Sequence, residues 1–392
     1  MPVEMKANPG GHIAPEYVFG RNQLIELIWD RLEQQCVLIN AERRIGKTCI
    51  MKRMVAHPRP GWFPVFQDLE KIRSADEFAR GVYDSVAQYL GFWKQTANSA
   101  KKIFDDYEFG DYKKKERRPW KSLLIKTIED LMANKEKADQ RLVLFWDEVP
   151  YMIDNIRKQD GEQAAAEVLD TLRSLRQEHP DLRMVFTGSI GLHHVLASIN
   201  AAHVATAPVN DMYAIEVTPL APADAAELAK ALIKGEKLVT TDLDVAAAAI
   251  ADEADRFPFY IHNIVSGLKQ DGLRADPEQI HELVERQLVD PNDPWELAHF
   301  RTRIGIYYLQ SNDAKIVLLI LDTLAAADKP FSVSELQIAI NSQTDALSDA
   351  EHLRELLKLM HRDHYLTRTT AGMYEFRFPL IRRWWKLDRG LS

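Results

Sequence analysis

The stretch from Val37 to Thr48 constrains the fold of this 392-residue chain more than any other. A short apolar run, Cys36 to Ile39, leads into a loop that ends Gly46-Lys47-Thr48, and the amphipathic run Cys49 to Val55 then reads as a helix. Strand, loop and helix in that order form a cradle for a phosphate: backbone N–H groups of the loop and the helix N-terminus point at an anion, and the helix dipole favours negative charge there. Lys47 would reach the outer phosphates and the Thr48 hydroxyl would ligate Mg²⁺. A chance Gly-Lys-Thr on a helix cap is the competing reading, because Ala41 stands where the pattern G-x-x-x-x-G-K-[ST] has its first glycine.

A second motif argues against chance. The run from Arg141 to Trp146 is apolar without alternation after its first residue, as in a strand covered on both faces, and it ends in Asp147 and Glu148. Desolvating two like charges is costly unless a cation or hydrogen bonds compensate. Beside a phosphate loop, Asp147 would hold the metal and Glu148 would orient and deprotonate an attacking water. A third strand, Arg183 to Thr187, runs into Gly188 and Ser189; it would lie between the other two, with Thr187 or Ser189 facing the terminal phosphate. Alone, Thr-Gly-Ser is also ordinary turn chemistry.

The remaining pattern predicts an α/β domain with a mostly parallel sheet. Residues 1–16 read as an extended arm, followed by a helix from Gln23 to about Gln34 with Leu24, Leu27, Ile28 and Leu32 on one face. Phe63 to Leu69 and Ala214 to Leu220 supply further strands, and helices are expected over 74–89, 120–133 and 162–178. Between the first two, residues 101–118 mix both charge signs with Phe104, Tyr107, Phe109 and Tyr112; this reads as a surface insertion and spaces Lys47 from Asp147 by 100 residues. The core is therefore assigned to 17–220, a helical lid to 221–290, and a C-terminal winged helix to 295–392. That last unit would start with a helix from Trp295 to Gln310. Three short helices would follow, over 315–326, 333–340 and 350–362, and then a wing of two strands around Ala371-Gly372.

Composition narrows the partners. Net charge is −8, so no global basic field advertises nucleic acid. From Asp313 to Ser392 eleven basic side chains face eleven acidic ones, with Arg377, Arg382, Arg383 and Lys386 gathered around Trp384 and Trp385. The winged unit thus admits two uses, contact with DNA or packing that holds the rest closed. No run approaches the ~20 apolar residues of a membrane span. No signal-like segment precedes the first motif, and Cys36 and Cys49 cannot make a disulfide framework, so a cytoplasmic protein is expected.

Together the motifs resemble the archaeal-type ATPases, P-loop proteins of the STAND branch close to AAA+ ATPases. Phe19-Gly20-Arg21 is similar to the box that precedes their phosphate loop, and Glu42-Arg43-Arg44-Ile45-Gly46-Lys47-Thr48 is similar to their R-R-x-G-K-T loop. Thr187 to Leu192 resembles their sensor strand, Phe257-Pro258-Phe259-Tyr260 their lid element, and Phe376 to Trp385 their C-terminal signature. The resemblance implies ATP with Mg²⁺ and use of the ATP state as a switch, with self-association or a protein partner as further expectations. It places Gly20, Arg21, Ala41, Arg43, Arg44, Ile45, Gly46, Lys47, Thr48, Cys49, Pro258 and Tyr260 around the nucleotide, Thr48 and Asp147 at the metal, and Lys47, Asp147, Glu148 and Ser189 at the chemistry. The chain departs from the pattern in having neither Lys nor Arg from Ile190 to Leu220, where an arginine finger usually lies. Such a finger is worth about 10³–10⁵ in rate, so slow intrinsic hydrolysis is expected, or an arginine from elsewhere, with Arg173, Arg176 and Arg256 as candidates. A nucleotide-sensing DNA-binding regulator with little turnover is the alternative reading.

Overall fold

Five unbroken apolar runs become the five strands of one parallel sheet, in the order β2-β3-β4-β1-β5. They are β1 (Val37–Asn40), β2 (Trp62–Asp68), β3 (Arg141–Asp147), β4 (Arg183–Thr187) and β5 (Tyr213–Glu216). The computed structural model describes residues 4–92, 119–134, 141–188, 191–200, 208–308, 312–327, 329–344, 347 and 349–391. The expected insertion at 101–118 and Ser189 lie outside them.

Packing divides the chain into two units. One comprises 14–43 and 47–217 and holds the sheet. Its helices are α1 (Asn22–Leu32), α2 (Lys47–Ala56), α3 (Ala75–Phe92), α4 (Pro119–Asn134), α5 (Val149–Asp160), α6 (Glu162–Glu178) and α7 (Leu192–Asn200). The centre of the sheet is covered on both faces: Val143, Leu144, Phe145 and Trp146 of β3 and all of β4 are buried. Trp146 stacks on Phe186 at 5.7 Å and meets Phe78 of α3 edge-on at 5.2 Å.

Some elements differ from the sequence expectation. Helix α1 buries Ile25, Ile28, Trp29 and Leu32, while Leu27 is 38% exposed. Apolar residues occur on both flanks of this helix, and the choice goes to the face that carries Trp29, which packs on Trp62 and Phe145. Helix α5 was not expected, although Val149, Met152, Ile153 and Ile156 recur at helical spacing and are all buried. Pro150 sits in its first turn, where its missing N–H costs nothing.

The other unit comprises 1–13, 44–46 and 218–392. It opens with four helices, α8 (Pro222–Glu236), α9 (Leu243–Glu253), α10 (Pro258–Gln270) and α11 (Pro277–Leu288). The expected helix over 295–310 is instead two short turns, α12 (Ala298–Thr302) and α13 (Ile304–Tyr307). Asp293 and Glu296 both adopt left-handed backbone, and the Asp293 carboxylate accepts the N–H groups of Leu297 (2.7 Å) and Ala298 (2.9 Å), so the helix starts only there. The winged helix follows: α14 (Asp313–Ala326), α15 (Val333–Asn341) and α16 (Ala350–Arg362), the antiparallel wing β6 (Leu366–Arg368) with β7 (Tyr374–Phe376), and α17 (Pro379–Asp388). A bridge from Phe331 to Tyr374 extends the wing, and a capping box of Ser332 and Glu335 starts α15.

The basic residues gathered near the C-terminus are largely engaged within this unit. Arg382 donates to the carbonyls of Ala325 and Ala327 at the end of α14, Arg383 pairs with Glu253 and Glu285, and Arg389 binds Asp322 at 2.7 Å. Trp384 and Trp385 are buried, and the Trp385 indole N–H reaches Asp322 at 2.9 Å. Spread as a sequence cluster, they read as cations beside aromatics; folded, they fasten α17 to α9, α11 and α14.

The N-terminal arm is fastened to the same unit. Met5 is buried beside Gly235, Ala7 N–H donates to Glu236 at 2.9 Å, and Asn8 N–H donates to Nδ1 of His262 at 3.1 Å. Burial pushes His262 down from its ordinary 6.5 to about 4. Its folded pKa therefore lies below the unfolded one: the neutral ring contributes stability above about pH 6.5, and that contribution is lost as pH falls through 4. The full loss is about 3 kcal/mol, at 1.36 kcal/mol per pKa unit. Gln in place of His262 does not titrate. The melting-temperature difference between wild type and His262→Gln should shift in favour of the variant between pH 6.5 and 4; a constant difference would contradict this.

Candidate functional site

The C-terminal ends of β1, β3 and β4 meet at one edge of the sheet, in the register Ile39 beside Thr187, and β2 adds Asp68 beside Asp147. Between β1 and α2 the loop runs through Ala41, Glu42, Arg43, Arg44, Ile45 and Gly46. Arg44 (φ 67°) and Gly46 (φ 99°) turn it through left-handed backbone. Gly46 is required by that angle, since nothing lies within 4 Å of a Cβ there. Ala41 is absent from the left-handed positions, so the methyl that replaces the first glycine carries no backbone strain.

Lys47 opens α2 and is buried, with Nζ donating to the carbonyls of Ala41 (3.0 Å) and Glu42 (3.1 Å) inside the loop. Burial pushes its amine below the ordinary value, while Glu42, Glu148 and Asp147 act in the opposite direction. A buried ammonium that donates to backbone carbonyls in this turn is well matched to an incoming anion.

The next residue joins the loop to the sheet. Thr48 Oγ1 donates to Asp147 Oδ2 at 2.6 Å; Oδ1 of the same carboxylate accepts Thr187 Oγ1 at 3.3 Å and the Glu148 N–H at 3.1 Å. Burial raises the Asp147 pKa, and the Thr48 hydrogen bond and Lys47 oppose that shift. Hydroxyl and carboxylate oxygens side by side are the donor set of a hard divalent cation, so the residues present fit Mg²⁺.

Glu148 is the N-cap residue of α5 and sits in left-handed backbone (φ 58°, ψ 36°), a costly conformation for a non-glycine residue. A Cβ on Gly188 would come within 3.6 Å of Glu148 Oε2 and 2.4 Å of Pro150, so the exit of β4 is glycine because the Glu148 turn lies against it. A shallow pocket opens here, lined by Ile39, Asn40, Pro150, Thr187, Gly188 and Leu192.

The other candidates fall in several places. Gly20 is left-handed (φ 62°) and Arg21 is buried at the start of α1, whose neighbouring Val18 carbonyl accepts Arg53 of α2 at 2.5 Å. Arg43 donates its N–H to Glu42 Oε1 at 2.7 Å. Ile45 is buried, and Cys49 is half-buried with a thiol raised by burial. Pro258 and Tyr260 belong to the other unit: Pro258 opens α10, and the buried Tyr260 ring stacks on Trp295 at 5.4 Å. Of the arginines suggested as a finger, Arg176 is committed: its side chain is 2% exposed and pairs with Asp211 at 2.7 and 2.9 Å. Held in that fork, its guanidinium is not free to reach a phosphate. Two carboxylates were not singled out from the sequence. Asp68 closes its apolar strand as Asp147 does, a signal that was there to read; Glu42 is buried within the loop and carried none.

No protein-family model and no curated protein matches the sequence. Solved structures do. A Walker-type ATPase of Pyrococcus abyssi superposes with a TM-score of 0.64 at 14% identity, over 95% of this chain and 97% of that one. The ORC2 protein of Aeropyrum pernix, in ADPNP and ADP complexes, superposes at 0.55 with 11% identity, over 97% and 96%. At such identities the likeness concerns the fold. The chain has the α/β fold of P-loop ATPases of AAA+ type, with a helical lid and a C-terminal winged helix. Among the described residues no helix is long and apolar enough to cross a membrane.

Proposed function

We propose that this protein is a Mg²⁺-dependent ATPase of the archaeal type, in which the nucleotide state of the loop governs the C-terminal winged-helix unit. The observation that carries the reading is the direct Thr48–Asp147 hydrogen bond beside Lys47, which joins the phosphate loop to the acidic end of β3. Thr48 and Asp147 would hold Mg²⁺, which when bound supplies the positive charge that screens the phosphates. Lys47 exchanges the carbonyls of Ala41 and Glu42 for phosphate oxygens. Glu148 orients a water and takes its proton, while Thr187 fixes the Asp147 carboxylate. Ser189 follows two residues on and is proposed as the second hydroxyl of that sensor. The likeness to nucleotide-bound ORC2 supports the same assignment at the level of fold.

No arginine follows Ile190 before Leu220, and Arg176 is engaged, so turnover is proposed to be slow until a partner or a second copy supplies one. The winged unit is assigned to protein packing rather than to DNA in the first instance, because Arg382, Arg383 and Arg389 are engaged internally. Phosphate release should require Mg²⁺ and should fall at least about 10²-fold in Lys47→Ala through loss of electrostatic stabilisation. Equal rates in the two proteins would remove the loop from the chemistry.

A further inference from the structure

Arg44 was expected at the phosphates, yet its guanidinium is held by residues that precede the winged helix. Residues 44–46 pack in the unit that contains 218–392. Within it, Arg44 Nε donates to Glu296 Oε2 at 3.1 Å, Nη2 donates to Oε1, and the guanidinium carbon lies 4.5 Å from the centre of the Phe259 ring. This is a two-pronged carboxylate fork with an aromatic plane behind it, the geometry in which arginine is hardest to replace by lysine. Both partners sit on left-handed backbone, Arg44 at φ 67° and Glu296 at φ 54°. Glu296 lies in the Asp293-capped turn that starts α12, and its carbonyl accepts from His299 Nδ1, so its side chain and the first turn after the lid are held together.

We infer that the Arg44–Glu296 pair is a latch for which a polyphosphate competes, and that its opening is the step by which nucleotide reaches the C-terminal unit. The inference rests on the nucleotide-binding reading above. Both side chains are partly open to solvent, 24% and 41% exposed, so the pair is screened and replaceable. A polyphosphate carries more charge than one carboxylate and offers the same bidentate oxygens to the guanidinium. Taking Arg44 removes its two hydrogen bonds to Glu296 and loosens the turn that leads into α12. Reciprocity then requires that whatever opens the latch also tightens nucleotide binding by the same factor.

Glu296→Gln keeps the size of the side chain and removes its charge. Equilibrium binding of Mg·ATP should tighten by about fivefold or more, the lower range of site-to-site coupling. The same substitution in an Arg44→Ala background should change nothing. Hydrogen exchange supplies a readout independent of affinity: amides of 297–302 should exchange faster when ATP is added to wild type, and should already be fast in nucleotide-free Glu296→Gln. Unchanged or weaker ATP binding by Glu296→Gln, with Lys47→Ala abolishing binding, overturns the latch and leaves the phosphate loop standing. ATP binding that survives Lys47→Ala overturns the loop reading, and the latch with it.

Discussion

Glu148→Gln should cut phosphate release by about 10²–10⁴-fold, the usual worth of a positioned general base, while Mg·ATP stays bound. The substitution is close to isosteric and leaves the N-cap position of α5, the Glu148 N–H bond to Asp147 and the contact with Gly188 in place. It removes the carboxylate charge, which acts on Lys47, and with it the capacity to take a proton. Steady-state phosphate release at saturating ATP, measured beside equilibrium binding, separates the two quantities. Turnover retained within about threefold of wild type would exclude Glu148 as the base, and loss of binding together with turnover would mean that its carboxylate shapes the loop.

The second large effect is on stability. Trp146→Ala should destabilise the sheet unit by about 3–5 kcal/mol, the range for deleting a large aromatic from a packed core. Trp146 is 1% exposed, lies between Phe78 and Phe186, and precedes the residue that Thr48 and Thr187 grip. Denaturant unfolding followed by tryptophan fluorescence and circular dichroism measures it. A loss below about 1 kcal/mol would show that the strand is held mainly by its neighbours. Mg·ATP should restore part of the lost stability by mass action, since it binds the folded loop alone.

The parts of the fold that were legible share one property: their signal is local and chemically costly to fake. An unbroken apolar run that ends in two carboxylates marked β3, and the Gly-Lys-Thr that follows another apolar run marked the loop and α2. The sheet order, with β4 between β1 and β3, follows once those motifs are recognised. Where two local signals compete, the winner is set by packing at a distance. Leu24 and Leu27 looked as good as Ile25 and Trp29 until Trp62 and Phe145 were in place. Helix α5 is ambiguous in the same way: Pro150 stands in its first turn, and one residue type serves as both helix breaker and helix starter.

The site divides in the same way. Lys47, Thr48, Asp147 and Glu148 are contiguous pairs in two short motifs, and the Thr48–Asp147 bond joins residues 99 positions apart only because β1 and β3 flank β4. Nothing in the sequence announces the partner of Arg44, 252 positions away, or the engagement of Arg383 with Glu253 and Glu285. Surface charges of this kind carry no pattern; they are assigned by whichever opposite charge the fold brings near. That is why the C-terminal basic cluster admits both DNA contact and packing in one dimension, while in three Arg382 and Arg383 are internal fastenings.

The central claim is that the loop from Ala41 to Thr48 holds a Mg²⁺-bound nucleoside triphosphate. Calorimetric titration of Mg·ATP into wild type and into Lys47→Ala tests it most directly. Saturable binding at one site per chain, weakened when Mg²⁺ is removed and lost in Lys47→Ala, is the expected result. Absence of binding in a folded wild type, or equal binding by both proteins, would contradict it.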